Sequence, residues 1–594
     1  MTGNVKYTVD ARDGRLNYLA VEMSFTPQKG DVDVCMAAWT PGAYRVEDFA
    51  GQVVDISATG AGGRELKIKK RDKSTWTFRA YGGAVAVRYR VHAHVITVHH
   101  SFVDDTHMTL NGASSLLYAR GYESLPATLS ILPRDGWNSV STGLDRTGDK
   151  WTFTAPDFDT LIDSPVEAGN HVSTHFSVAG KDHEIAIYGS GTIDRDRFTS
   201  DVEKIVRAEI GIMKDVPYSR YLFIYDLLPG ASGGLEHLNS THCLADPFSF
   251  RIREDYLARL STISHEFFHL WNVKRLRPVP LGPFDYTGEV YTGLLWFSEG
   301  FTSYYTYIAM RRARIVTPGE LFRSLARMAE TYMSTPGRNY QSADESSFDT
   351  WIKLYRQDEN SVNSGISYYT KGSLIGMLLD IHIIDATGGR KRLDDVMRLL
   401  YRTTYMKGKG FTEENFVDAC GSVLGRDASR LCNSLIHGRG DLPLGRYLAL
   451  AGLEMERESE RKEGYAGIIM SAKAGENVAS VLEGMPAAES GIFPGDEIIA
   501  VNGMRAVASD VAVRIRELSP GEDITLTVAR HGMLKDIRLR LGERPGKLKF
   551  VQKKKADAGQ KRTYGTWSYA LWKSGISYEG VKDTREYTKR LDII

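Results

Sequence analysis

The sequence has few cysteines, no long apolar run and almost no net charge. Its 594 residues include only Cys35, Cys243, Cys420 and Cys432, without a CxxC pair. This excludes a disulfide framework and a cysteine-based zinc or redox motif, and it predicts reduced thiols. No stretch approaches the roughly 18 apolar residues of a membrane span. Lys plus Arg number 75 and Asp plus Glu 74, so we expect neither nucleic acid nor a membrane among the partners.

The amino-terminal residues also lack a targeting signal. The stretch MTGNVKYTVDARDG has neither the basic region nor the apolar region of a secretory leader. The sequence therefore predicts a cytoplasmic protein, or a periplasmic or secreted one if a leader has been removed.

The hydrophobic pattern divides the chain into regions of different character. Residues 1–168 alternate apolar and polar side chains, as in VAVRYRVHAHV at 85–95, which predicts an antiparallel β-sandwich. Residues 169–455 begin with strand patterns and continue with helical ones, which indicates an α+β unit with a helical lobe. Residues 462–545 form a third module of alternating runs, and 546–594 form a carboxyl-terminal tail. A chain of this length is expected to be multidomain.

One apolar helical stretch contains the motif HEFFH. His265 and His269 are four positions apart, so both imidazoles face the same side of a helix and can bind one metal ion. Glu266 projects about 100° away, within reach of a water on that ion. The apolar stripe of this stretch predicts a helix from about residue 254 that ends at Pro278.

Glu299, in LLWFSEGFTSYY, is the best candidate for a third metal ligand. Its apolar flanks are a poor environment for a carboxylate that faces solvent. Two histidines and one glutamate would leave a zinc position open for water, whose proton Glu266 could accept, and this predicts metal-assisted amide hydrolysis. The residue types leave an alternative open, in which Glu299 pairs with Arg275 or Arg277 and the histidines are ordinary core residues.

Several longer motifs occur together in the chain. HEFFHLWNVKRLRP, LLWFSEGFTSYY, the upstream GGLEHLNST and AWTPGAYRVEDFA at 38–50 resemble the glycyl aminopeptidase family of PDZ-containing metallopeptidases, within the thermolysin-like gluzincins. The resemblance implies a thermolysin-like catalytic unit at 169–455. It also implies Zn²⁺ on His265, His269 and Glu299, with Glu266 as the catalytic base.

The resemblance extends to residues that bind substrate. Broader aminopeptidase relatives have a GxMEN segment whose glutamate binds the free α-amine; Gly233, Gly234 and Glu236 match it, and His237 stands in place of its asparagine. Those relatives also use the tyrosine of a Tyr-x-Lys-Gly motif to stabilise the oxyanion, which implies this role for Tyr369. Tyr368 is the weaker candidate because neighbouring helical residues point apart. Without the family pattern, Tyr369 reads as a half-buried helix aromatic.

The module at 462–545 resembles a PDZ domain. The resemblance rests on GYAGI at 464–468 and on GMPAAESGIFPGDEIIAVNG. It implies that a carboxyl-terminal peptide binds as an added strand. A purely packing role is the alternative.

Together these observations predict a zinc-dependent aminopeptidase that hydrolyses the first peptide bond of peptides with a free amino terminus. The family resemblance implies a preference for glycine or alanine at that end. One alternative is a zinc endopeptidase whose PDZ domain captures substrate, and another is a catalytically silent PDZ adaptor.

Overall fold

The computed structural model describes residues 3–459, 461–471 and 477–572. Its residues group into two units. The first comprises Met1–Thr292, Arg312–Ile315 and Met397–Thr412, and the second comprises Gly293–Arg311, Val316–Val396 and Glu413–Ile594.

The amino-terminal domain of the first unit is built from short strands and two short helices. These are β1 (Val5–Asp10), β2 (Tyr18–Phe25), β3 (Gly30–Cys35), β4 (Val53–Thr59), β5 (Glu65–Leu66), β6 (Lys69–Lys70), β7 (Thr75–Ala80), β8 (Val85–His92), β9 (Phe102–Val103), β10 (Met108–Leu110), α1 (Gly112–Ser115), β11 (Tyr118–Ala119), β12 (Ala127–Leu132), β13 (Ser139–Thr142), β14 (Asp145–Arg146), β15 (Thr152–Ala155), α2 (Phe158–Ile162) and β16 (Val166–Gly169).

The strands form one large sheet and two smaller ones. Their orders are β14-β15-β12-β1-β2-β8-β4-β5, β13-β16-β10-β9 and β11-β3-β7-β6. Along β8, Val85, Val87 and Val91 are buried while Arg88 and Arg90 are exposed, so the period-two pattern places one face in the core. The pairing is antiparallel except between β1 and β12, which run parallel.

A five-stranded sheet follows in the same unit, with two long helices. The elements are β17 (Val172–Val178), β18 (Lys181–Tyr188), α3 (Arg195–Met213), β19 (Arg220–Leu227), β20 (Ser232–Glu236), β21 (Ser240–Ala245) and α4 (Arg253–Phe268). The sheet order is β17-β18-β19-β21-β20. Strand β20 therefore lies at the end of the sheet, antiparallel to β21.

Helix α4 contains the HEFFH motif and is shorter than predicted. It ends at Phe268, with His269 as its C-cap residue, and turns follow up to Pro278. The His269 Nδ1 atom lies 2.6 Å from the Asn272 carbonyl oxygen, and the Lys274 amide donates to the His269 carbonyl. These local bonds form where regular helix gives way to turns.

The second unit begins with a helical region. A π-helical turn at Trp296–Phe301 leads into a series of helices: α5 (Thr302–Arg312), α6 (Pro318–Ser334), α7 (Ala343–Phe348), α8 (Ser361–Ser364), α9 (Tyr368–Ala386), α10 (Leu393–Thr403), α11 (Glu413–Leu424), α12 (Ser429–Ile436) and α13 (Leu444–Leu450).

The remainder of the second unit is a small β-rich domain between two paired strands. Its elements are β22 (Leu453–Glu458), β23 (Gly464–Tyr465), β24 (Ile468–Met470), β25 (Val478–Val481), α14 (Pro486–Glu489), β26 (Glu497–Val501), β27 (Met504–Arg505), α15 (Ala508–Glu517), β28 (Asp523–Arg530), β29 (Met533–Arg540), β30 (Gly542–Glu543), β31 (Lys547–Gln552) and α16 (Ala558–Ser568). Strands β22 and β31 pair antiparallel along their whole length.

The last helix of the described residues, α16, packs on the helical region. On α16, Tyr564 and Trp567 are fully buried, and the Trp567 indole donates a 3.0 Å hydrogen bond to the Tyr304 hydroxyl. The part of the tail that the structure describes is therefore packed into the second unit, while residues 573–594 lie outside the described residues.

The predicted multidomain α+β class is confirmed: the structure has a β-rich amino-terminal domain, a helical region and a small β-rich domain toward the carboxyl end. The four cysteines are buried free thiols. Within the described ranges, no helix combines the length and the apolar character needed to cross a bilayer.

Candidate active site

The two histidines of the HEFFH motif face each other. Their Nε2 atoms are 3.0 Å apart. Because His269 Nδ1 lies against the Asn272 carbonyl oxygen, its proton belongs on Nδ1, which leaves the Nε2 lone pair as a potential metal ligand. Two nitrogens on a tetrahedral zinc ion are separated by roughly 3.3 Å, which is close to the observed spacing.

Glu266 is buried against a glycine of strand β20. Its side chain belongs to a residue that is only 6% exposed. A Cβ atom at Gly234 would lie 2.4 Å from the Glu266 Oε1 atom and 2.6 Å from its Cδ atom. Only glycine at this position leaves room for the Glu266 carboxylate beside the strand.

Glu236, at the end of the same strand, is covered by a loop of the amino-terminal domain. The residue is 3% exposed. A Cβ atom at Gly42 would lie 2.7 Å from Glu236 Oε2 and 2.8 Å from Oε1, and Gly42 has φ +99°. Its neighbour Ala43 packs in a buried apolar cluster with Leu235. Gly42 is therefore required both by its backbone conformation and by the close approach of the carboxylate.

A buried ion cluster supports the turn that follows Glu236. Asp163 accepts a 2.9 Å hydrogen bond from the Leu238 amide. Its carboxylate also contacts His237 Nδ1 at 3.0 Å and Lys274 Nζ at 2.8 Å. Burial alone would raise the pKa of Asp163, but Lys274 and His237 hold it below its usual value. His237 is thus anchored by Asp163.

Glu299 lies in the π-helical turn of the second unit. It is 2% exposed, and its neighbours Ser298 and Gly300 are also buried. Single π-helical turns inside helices are frequent at functional sites. The two arginines that could have neutralised Glu299 have other partners: Arg275 donates to the carbonyls of Leu270, Leu238 and Pro217, and Arg277 donates to that of Leu281.

Tyr369 is in the first turn of α9, and its hydroxyl lies 3.0 Å from the Tyr355 hydroxyl. Burial, followed by the Glu299 carboxylate and by Tyr355, raises the pKa of Tyr369 well above that of a free tyrosine. The hydroxyl therefore keeps its proton and remains a hydrogen-bond donor. Tyr368 is instead fully buried, with its hydroxyl 3.1 Å from Thr350 Oγ1.

Glu236, Glu266 and His269 bring their ligand atoms within 4.8 Å of one another. Two carboxylates therefore lie beside one of the predicted metal ligands. Two imidazoles and one carboxylate, the donor types of the predicted set His265, His269 and Glu299, are a ligand set of catalytic zinc sites. These donor types, together with the tautomer that Asn272 imposes on His269, fit a zinc ion.

Several neighbours of these residues were not predicted from the sequence. Gly42 and Tyr355 contact the predicted site residues Glu236 and Tyr369, and Asp163 contacts both Lys274 and His237, the residue after Glu236. Gly42 and Lys274 had a signal, because they lie inside the AWTPGAY and HEFFHLWNVKRLRP stretches. Asp163 and Tyr355 had none, because no motif or local spacing connects them with the site.

Comparisons with known proteins agree with this organisation. The family model described as M61 glycyl aminopeptidase matches residues 258–375. The model of the peptidase M61 N-terminal domain matches residues 6–170, and a PDZ domain model matches residues 452–541.

Among solved structures, the chain is similar to an aminopeptidase N family protein from Idiomarina loihiensis, with a TM-score of 0.89 and 26% identity over 95% of this chain and 100% of the other. Yeast LTA4 hydrolase in complex with bestatin gives a TM-score of 0.46 and 12% identity over 74% of this chain and 68% of the other.

A curated relative matches only a short segment. It is a probable periplasmic serine endoprotease DegP-like from Bartonella henselae, 44% identical over 61 residues. The match spans 10% of this chain and 12% of that protein. The similarity to the aminopeptidase N family protein covers nearly the whole chain. Two segments of the chain thus match models of the M61 glycyl aminopeptidase family, and a third matches a PDZ domain model, so the chain includes a PDZ domain.

Proposed function

We propose that the protein is a zinc-dependent aminopeptidase that removes small residues, glycine or alanine, from the amino terminus of peptides. The observation that carries this proposal is the group formed by Glu236, Glu266 and His269, whose ligand atoms lie within 4.8 Å of one another. Glu236, whose carboxylate is suited to bind a substrate ammonium, is thereby next to the candidate base Glu266 and the candidate metal ligand His269.

In this proposal His265, His269 and Glu299 hold the zinc ion. The 3.0 Å spacing of the two Nε2 atoms and the burial of Glu299 support the assignment. When bound, zinc lowers the pKa of a coordinated water toward 7 and polarises a carbonyl. A glutamine at 299 would keep the volume of the side chain but lose the negative charge that the ion needs.

Glu266 acts as the general base. Its buried carboxylate follows His265 directly on α4 and would accept the proton of the attacking water, then return it to the leaving amine. The contact with Gly234 fixes where this carboxylate can lie. Because strand β20 and the base touch, substrate backbone bound along the strand would be held next to the base.

Tyr369 donates a hydrogen bond to the oxyanion that forms on the substrate carbonyl. The raised pKa of its hydroxyl and its contact with Tyr355 support this role. Removing one such donor typically costs about 100- to 1000-fold in rate.

Glu236, Gly233 and Gly234 bind the amino-terminal end of the substrate. An ammonium group against the Glu236 carboxylate would place the first peptide bond at the base, which an internal peptide could not do. Gly233 has φ +138° and open space where a Cβ atom would lie, so substrate could approach its backbone. The loop that packs on Glu236 through Gly42 limits the space around the amino-terminal residue of the substrate. Limited space supports a preference for small residues.

The PDZ domain would bind a peptide carboxylate in the loop before β24. This strand pairs only with β25 among the described strands, so one of its edges is suited to strand addition. The GYAGI loop contains Gly467 at φ +78°, a left-handed conformation that favours glycine.

Hydrolysis of free and acetylated glycyl and leucyl p-nitroanilides, before and after removal of metal with a chelator, tests the proposal. We expect activity on the free glycyl substrate, loss of activity without metal, and recovery on addition of zinc. Equal rates on the acetylated substrates would instead support an endopeptidase. Zinc binding without any hydrolysis would support a silent adaptor, and full activity without metal would exclude the mechanism.

A further inference from the structure

The PDZ domain contacts the helical region at α8, where one asparagine bonds to it through both ends of its side-chain amide. The Asn363 Nδ2 atom donates a 2.8 Å hydrogen bond to the Val481 carbonyl. Its Oδ1 atom accepts a 2.9 Å hydrogen bond from the Glu483 amide. Both ends of one side-chain amide are thus bound to the backbone at the end of β25, so the side chain is fixed by the PDZ domain.

Apolar and polar contacts surround this pair of hydrogen bonds. Val362, next to Asn363, packs against a buried cluster of the PDZ domain that includes Ile469 and Leu482. The Tyr340 hydroxyl donates a 2.6 Å hydrogen bond to Glu483 Oε1. A helix as short as α8 is not stable by itself, so such contacts determine its position.

The segment that contains α8 also connects the two tyrosines described above. It runs from Tyr355 to Tyr369, whose hydroxyls are 3.0 Å apart. Between α8 and α9, the Ile366 amide donates to Gln341 Oε1 at 3.0 Å, and its carbonyl accepts from Ser346 Oγ at 2.6 Å. Hydrogen bonds therefore hold the backbone in place between the PDZ contact and Tyr369.

We infer that Asn363 is a positioning residue through which docking of the PDZ domain holds the Tyr355 and Tyr369 hydroxyls in place for catalysis. The inference rests on the proposed role of Tyr369 as oxyanion donor. When the Asn363 bonds are lost, α8 and the segment before it lose their fixed position, and Tyr355 no longer orients the Tyr369 hydroxyl. Because that donor acts on the transition state, the loss falls on kcat and leaves KM unchanged.

Replacement of Asn363 in the full-length zinc enzyme tests the inference. We expect Asn363→Ala to lower kcat on glycyl p-nitroanilide by roughly 2- to 30-fold, with unchanged KM and zinc content. Asn433→Ala, at an exposed position of α12, is the matched control and should leave kcat unchanged. Asn363→Asp keeps the acceptor for the Glu483 amide but loses the donor to Val481, so its kcat should lie between those of wild type and Asn363→Ala.

The same substitution in a Tyr369→Phe background separates positioning from general damage. If Asn363 acts through Tyr369, replacing Asn363 in the Tyr369→Phe variant has little further effect on kcat. An equal fall in both backgrounds, or no fall in the wild type, would overturn the inference. Should Asn363→Ala not fold, Val362→Ala serves in the same cycle. If Tyr369→Phe alone keeps full kcat, both the donor role and the inference fail; if it loses kcat while Asn363→Ala does not, the inference alone fails.

Discussion

Two regions of the catalytic part use glycine for opposite purposes. At strand β20, the space beside Gly234 is filled by the end of a side chain, the Glu266 carboxylate. At helix α9, the space beside Gly372 is filled by backbone: a Cβ atom there would lie 2.1 Å from the Trp296 carbonyl oxygen. In the first region glycine admits a functional group, and in the second it admits a neighbouring helical turn.

The difference determines how each region should respond to change. A side chain can move away from a new methyl group, although it is then displaced from its original position. A backbone carbonyl in a helical turn cannot move away in this way. Damage at β20 should therefore appear in the rate, and damage where α9 meets the π-helical turn should appear in stability. The predictions below test this division, starting with the largest expected effect.

Replacement of the base in the strand region should have the largest effect. Glu266→Gln fills similar space but cannot accept a proton, so kcat should fall by about 100- to 10,000-fold while zinc stays bound. Steady-state kinetics and metal analysis on the same preparation check this. Near-normal kcat would remove Glu266 as the base.

Removal of the donor in the helix region should come next. Tyr369→Phe loses only a hydroxyl and should lower kcat by about 100- to 1000-fold with little change in KM. Tyr368→Phe is the matched control, because its hydroxyl contacts Thr350 instead. An equal loss of kcat in both variants would contradict the assignment to Tyr369.

Loss of the carboxylate that we propose binds the substrate amine should have a smaller effect, which depends on the substrate. Glu236→Ala should lower kcat/KM for free glycyl amides by roughly 10- to 200-fold, because a charge-assisted bond of about 1.5–3 kcal/mol is lost. Acetylated substrates cannot form this bond and should be hydrolysed at a nearly unchanged low rate. If the ratio of free to acetylated kcat/KM stays constant, Glu236 has a structural role only.

The two glycines themselves test the comparison most directly. Gly234→Ala should displace the Glu266 carboxylate and lower kcat by about 10- to 100-fold, with a small change in unfolding temperature. Gly372→Ala should instead lower the free energy of unfolding by about 1–3 kcal/mol. Thermal unfolding and kcat are measured on both variants. A loss of stability in Gly234→Ala together with a loss of kcat in Gly372→Ala would contradict the comparison.

Disruption of the ion cluster formed by Asp163, His237 and Lys274 should have the smallest effect on rate. Its effect on stability should depend on pH. The pKa of Asp163 is lower in the folded state than the usual value near 3.9. Its stabilising contribution is therefore present above about pH 4 and is lost as the pH falls through the lowered pKa. Thermal unfolding of wild type and Asp163→Asn should differ at pH 7 and converge toward pH 2, and a constant difference would contradict this.

Much of the candidate site could be predicted from the sequence because its side chains are closely spaced in the chain. His265, Glu266 and His269 occur within one helical turn, and the periodicity of α4 orients them. The end of α4 at Phe268 could not be predicted, since the apolar pattern and Pro278 both indicate a longer helix. Nor could Asp163 be found, because its partners Leu238 and Lys274 lie far along the chain.

The fold shows the same division between local and distant information. The alternation of apolar and polar side chains predicted the strands of the amino-terminal domain. It could not predict the parallel pairing of β1 with β12, because these two strands are far apart in the sequence. The PDZ pattern predicted that domain, whereas its contact with Asn363 depends on two backbone groups that no residue type reveals.

The β22 and β31 ribbon gives the PDZ domain the topology of a cassette. Its two outer strands end in register, with Glu458 paired to Lys547, so the chain enters and leaves the segment between them at almost one point. A two-residue β-turn could close that gap, and the intervening segment could be excised or exchanged without moving either strand. Exchange of a domain at this position would thus require only local changes in sequence.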